Sequence, residues 1–250
     1  MDITIPQTYE ELSEQQRGAL CKILLTSSPF GGGGGRLPLR IIKTLISHLP
    51  NRTQQQLLQE VPFTTLWQYA EPFLSTEKLY HFRDLTKMIA PAPRLANLTI
   101  KQFSVADSLY YRLRLSQYQD ELLLRQLMAS LYNLPDTPFD VLNLPQVAEH
   151  TDKTPITTAY EVAFAYTCCR EYIINRFPKV FSSPSSTQRG ENPVFRKEAA
   201  YMPFSKIISV MAMDKHQPLG NWHQCNATRV YDFFEVLTES ILQAEQRAKS

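Results

Sequence analysis

The stretch TPITTAYEVAFAYTCCREYIINRFP, residues 154–178, decides the fold class. Ala159, Val162, Tyr166, Cys169 and Ile173 recur at steps of 3, 4, 3 and 4, which lines up one face of an α-helix. Pro155 suits a helix start, where a missing N–H costs nothing. Pro178 ends the periodic run. The stripe puts Cys169 on the inner face, so core packing is its expected role.

The same periodicity recurs on both sides. Phe103, Ala106, Tyr110 and Leu113 line one helix capped by Thr99, and Leu124, Leu127 and Leu131 line the next. Little sequence separates these two, so they should pack as an antiparallel pair. Further helices are expected from Pro203 through Ile207, Val210 and Met211, and from near Thr228 with Val230, Phe234, Leu237 and Ile241 inward. Towards the start, Ile3 and Ile5 lie in a short extended lead. Thr8 and Glu11 form a capping box for a helix carrying Leu12, Leu20, Ile23 and Leu24, weakened by Gly18. Leu39–Leu49 and residues 53–60 read as helical. The aromatic-rich 63–89 reads as helical with an interruption at Pro72, and 133–153 as irregular because of Pro135, Pro138 and Pro145.

Helix follows helix with few alternating β-type runs. The fold class is therefore mainly α, an irregular multi-helix bundle with a short extended N-terminal segment and long loops. Ala90-Pro-Ala-Pro-Arg94 is a stiff break. It suggests an N-terminal helical lobe over 1–90 and a C-terminal helical bundle over 95–250, or one continuous domain. Gly31–Gly35 and the polar run 182–193 are expected to be flexible loops.

The 250 residues carry a formal net charge of +2, too small to require a polyanionic partner. Residues 36–94, however, hold eight basic side chains against four acidic ones. Arg36, Arg40 and Lys43 from this segment, with Arg112 and Arg114, are the candidate partner-binding residues. Tyr110 and Tyr111 interleave with the latter two in a pattern that could stack on bases and pair with phosphates. On a helix, though, Tyr110 faces the apolar stripe. Cys21, Cys168, Cys169 and Cys225 read as free thiols in a reducing compartment, since no secretory signal is evident. No run approaches the ~18 apolar residues that span a bilayer.

Catalytic motifs are missing. The glycine run is followed by Arg36, Leu37 and Pro38, where a phosphate loop needs Lys and then Ser or Thr. His216, His223 and Cys225 lie close together but match no zinc spacing, and a turn between helices is the expected structure there. No nucleophile elbow or His-Glu-x-x-His helix occurs. Neither catalytic residues, cofactor nor metal is expected.

Several segments resemble a known family. These are Ile5-Pro-Gln-Thr-Tyr-Glu-Glu-Leu12, Leu95-Ala-Asn-Leu-Thr-Ile-Lys-Gln-Phe103 with Ala106-Asp107, and Leu127-Met-Ala-Ser-Leu-Tyr132. Tyr172-Ile-Ile-Asn-Arg-Phe-Pro-Lys-Val-Phe181 and the stretch from Gly220 to Phe234 complete the set. In this order they resemble helical proteins of phage and prophage clusters encoded near tail-assembly genes. The glycine run and the 182–193 insert depart from that pattern. The shared motifs are caps and core positions, so no catalytic residue carries over. The resemblance implies a non-catalytic structural or assembly protein: a tail-assembly chaperone, adaptor or virion component. Its expected place is the host cytoplasm or the virion, and its partners other phage or tail-like proteins or a second copy of itself. A nucleic-acid-binding accessory protein and an enzyme with an unfamiliar site are the alternatives. No membrane partner is expected.

Overall fold

The computed structural model describes residues 4–27, 37–75, 77–181 and 201–248. The expected loops Gly31–Gly35 and 182–193, together with Ile3 and Arg36, fall outside these. The described chain is mainly helical: α1 (Glu14–Thr26), α2 (Leu37–Leu45), α3 (Asn51–Glu60), α4 (Phe63–Ser75), α5 (Ile100–Leu115), α6 (Glu121–Leu131), α7 (Leu144–Thr151), α8 (Ile156–Arg176), α9 (Pro178–Phe181), α10 (Phe204–Met213), α11 (Trp222–Ala227) and α12 (Val230–Arg247). Among the described residues there is no strand, only the isolated bridges Ile89–Asn133 and Thr99–Arg229. No described helix is long and apolar enough to cross a membrane.

The expected stripes on α5, α6 and α8 are all buried. Thr99 caps α5 by accepting the Gln102 N–H. At the same end of that helix, the Gln102 side-chain amide donates to the carbonyls of Ser130 and Leu131. The start of α5 therefore meets the end of α6, and the pair runs antiparallel.

Two apolar clusters share α8. The larger draws on α5, α6, α8, α10 and α12, and the smaller on α1, α2 and α4 together with Ala165 of α8. Serving both sides, α8 buries Tyr160, Glu161, Ala163, Ala165 and Cys168 in addition to its predicted stripe. A helix enclosed on all sides becomes apolar nearly all round, and this one holds together the two halves of the chain.

Four local expectations are corrected. The first helix begins at Glu14. Its cap is Ser13, in a reciprocal box with Gln16, while the Glu11 carboxylate accepts from the Gln7 amide instead of capping with Thr8. The 63–89 segment is helical only to Ser75, and the described residues 77–89 are irregular, with a turn at Thr86–Lys87 and the isolated bridge at Ile89. Their backbone bonds go to distant partners, as where the Arg94 N–H donates to the Tyr80 carbonyl. Region 133–153 is not wholly irregular, because Pro145 sits in the first turn of α7, where proline is tolerated. The helix expected from Pro203 through Ile207, Val210 and Met211 is α10, which turns Phe204, Ile208 and Met211 inward and leaves Val210 66% exposed. The turn expected around His216–Cys225 contains α11, capped by Asn221.

Candidate functional site

An apolar groove of about 720 Å³ runs between α5, α6 and α7. Val105 and Leu109 of α5, Ala129 of α6 and Ala148 of α7 line it, because the inner stripes of these helices do not fill the space between them. Leu122 on α6 stands 64% exposed and Val141 43% exposed at its edges, with Leu142 84% exposed beside Val141. Apolar side chains gathered at the mouth of an apolar groove mark an interaction site more often than a bare surface. Arg125 braces one side, donating to the carbonyls of Asp152 and Thr154. A roomier depression of about 800 Å³ beside α12 is lined largely by charged and polar groups, including Arg176, Glu235, Glu239 and Arg247.

The candidate basic residues fall on separate elements. Arg40 and Lys43 are exposed on α2, in the smaller cluster, and Arg40 donates to the Ser27 hydroxyl at 3.3 Å. Arg112 and Arg114 are exposed on the last turn of α5, where the helix dipole favours cations. The aromatic groups just before them are engaged. Tyr110 is buried and accepts from the Tyr118 hydroxyl, and Tyr111 stacks on Tyr201 at 4.2 Å with 11° between ring planes.

All four cysteines are buried and free. Burial pushes the Cys168 thiol up to about 11 and Cys169 to about 12, and raises Cys21 and Cys225 as well. A thiol must be deprotonated to attack or to ligate a metal, so burial here opposes both. Cys225 donates to the Ile208 carbonyl, inside the core, while His216 and His223 are exposed. Among the described residues no three His, Cys, Asp or Glu side chains gather as a metal site.

Two buried carboxylates were not singled out from the sequence. Asp107 accepts from Arg170, Tyr166 and Tyr201. Glu161 lies 3.4 Å from Arg17 and 3.9 Å from Arg83, and Arg83 also pairs with Glu14. Burial raises the Glu161 pKa against the pull of both arginines. A charge inside an apolar run was the available signal for Glu161.

No family model, curated protein or solved structure matches this chain.

Proposed function

We propose that the protein works by binding, as a structural or assembly component of a phage-like particle, and that the α5–α6–α7 groove receives an amphipathic helix from a partner protein. The apolar groove flanked by exposed Leu122 and Val141 carries this reading. A helix is the fitting occupant because the walls are helices, and ridge-into-groove packing accepts apolar anchors at helical spacing. Among the described residues no strand offers an edge for β-addition. Buried thiols and arginine-bound carboxylates support a role without chemistry, since the fold itself uses these groups. The phage setting, with a tail-like protein as partner, comes from the motif resemblance.

A photo-crosslinking amino acid at Leu142, introduced in the producing host, tests this. The expected product is one adduct to a particle or tail protein, mapped to an amphipathic helix and abolished by Leu122→Glu. Crosslinking only to a second copy of the chain would replace the partner with self-association. No adduct, or one that Leu122→Glu leaves intact, would refute the groove as the docking site.

A further inference from the structure

On another face of the molecule, Arg94 is held through both its backbone and its side chain. Its backbone N–H donates to the Tyr80 carbonyl at 3.1 Å, and the Tyr231 hydroxyl donates to the Arg94 carbonyl at 2.7 Å. The next residue, Leu95, is fully buried. The guanidinium lies 5.1 Å from the Tyr80 ring centroid and 4.6 Å from that of Tyr172. Both contacts place the cation over a ring face, as cation–π geometry requires. The backbone adopts φ 57°, the left-handed region that a residue with a side chain enters only when its surroundings enforce it.

Among the described residues no carboxylate lies within 4.0 Å of the Arg94 guanidinium, and no acceptor takes a hydrogen bond from it. It lines an open cleft of about 550 Å³ with Tyr80, His81, Tyr172, Arg176 and Tyr231, and among the described residues no acidic side chain lines that cleft. Arg176 is the second cation, packed 5.3 Å from the Tyr231 centroid and tied on its other side to Glu235 at 3.3 Å.

We propose that this cleft binds phosphate. The planar fork of Arg94 would take two oxygens of one phosphate, the bidentate geometry in which guanidinium is strongest, and Arg176 would add charge beside it. Arg94 already packs over one face of Tyr80 and one of Tyr172, and the ligand proposed here is the oxyanion and not a stacked base. The phosphate comes either as a free ion or as the backbone of a single-stranded nucleic acid.

Two probes separate these sources: inorganic phosphate followed by phosphorus NMR, and labelled oligothymidylate followed by anisotropy at ~50 mM salt, where backbone contacts are strong. The key variant is Arg94→Gly. Glycine accepts φ 57° without strain, so the fold should survive, as circular dichroism would report. Arg94→Lys keeps the charge and loses the fork. Binding of phosphate weakened at least about tenfold by Arg94→Gly, with an intermediate loss for Arg94→Lys, is the expected result. The same pattern for the oligonucleotide alone would assign the site to a nucleic-acid backbone. Failure of wild-type protein to bind either probe, or equal binding by a folded Arg94→Gly, would overturn the proposal.

Discussion

Arg170 Nε donates to Asp107 Oδ1 at 2.5 Å across the contact between α8 and α5, with Asp107 only 1% exposed. The remaining carboxylate capacity is also used, because the Tyr201 hydroxyl donates to Oδ2 at 3.0 Å and Tyr166 reaches Oδ1 at 3.4 Å. Removing one partner strands the other charge, which costs about 3–5 kcal/mol when the pair is buried. Asp107→Ala should lose stability of that order in urea denaturation. The double variant Asp107→Leu with Arg170→Met should lose less than Asp107→Ala alone, since it leaves no buried charge behind. Equal losses in the two would mean that packing, not charge, dominates this site.

Glu161 sets a pH signature. Burial raises its folded pKa above the ordinary carboxylate value even though Arg17 and Arg83 lower it. The folded state thus keeps a proton that the unfolded chain has released. Linkage then makes the Glu161 contribution fall as pH climbs from the unfolded value of about 4.3 through the raised folded value, after which it is level. Glu161→Gln has no such proton to lose. Paired denaturation curves at stepped pH should show wild type losing ground to Glu161→Gln across this window. A difference that stays flat or moves the other way contradicts the raised pKa.

The first helix offers a direct contest between two caps. The Ser13 hydroxyl accepts the Gln16 N–H, and the Gln16 side chain returns a bond to the Ser13 N–H. Ser13→Ala should therefore cost about 1 kcal/mol, the usual worth of an N-cap. Thr8 lies outside the helix, and Thr8→Ala should stay within about 0.5 kcal/mol. Chemical denaturation of the two variants decides it. A larger loss at Thr8 would move the helix start back by a turn.

Why one cap was legible and the other not shows how far the sequence reaches. Thr99, Phe103, Ala106 and Tyr110 could be read because cap and stripe are local and share one period, and all serve the helix as expected. Thr8 and Ser13 both satisfy the local rule, with Glu11 and Gln16 each three residues on, so only the surroundings could choose between them. Tyr80 and Phe82 sit in an aromatic run that looked helical, yet their segment finds its bonds far along the chain. Tyr132, for one, donates to the Arg83 carbonyl across 49 residues. The buried ion pairs are longer in reach still, with Asp107 and Arg170 63 positions apart and Arg17 and Glu161 144 positions apart. The groove was invisible for the same reason. Leu122 and Val141 become its edges only after three helices have met.

Gly18 turns a local weakness into a packing requirement. By helix propensity alone, Gly18→Ala should stabilise α1 by about 1 kcal/mol. In the fold, a Cβ at this position would stand 2.6 Å from Thr157 Cβ and 2.9 Å from the Thr157 carbonyl oxygen on α8. The obstacle includes backbone, so α8 itself would have to move. That helix serves both apolar clusters and cannot shift without disturbing each. Overpacking of this kind costs about 1–3 kcal/mol, enough to cancel or reverse the propensity gain. Denaturation of Gly18→Ala should show a net loss, and Gly18→Ser a loss at least as large. A gain of the full propensity value would mean that α1 and α8 do not approach this closely, and the role of α8 as the shared wall would fall with it.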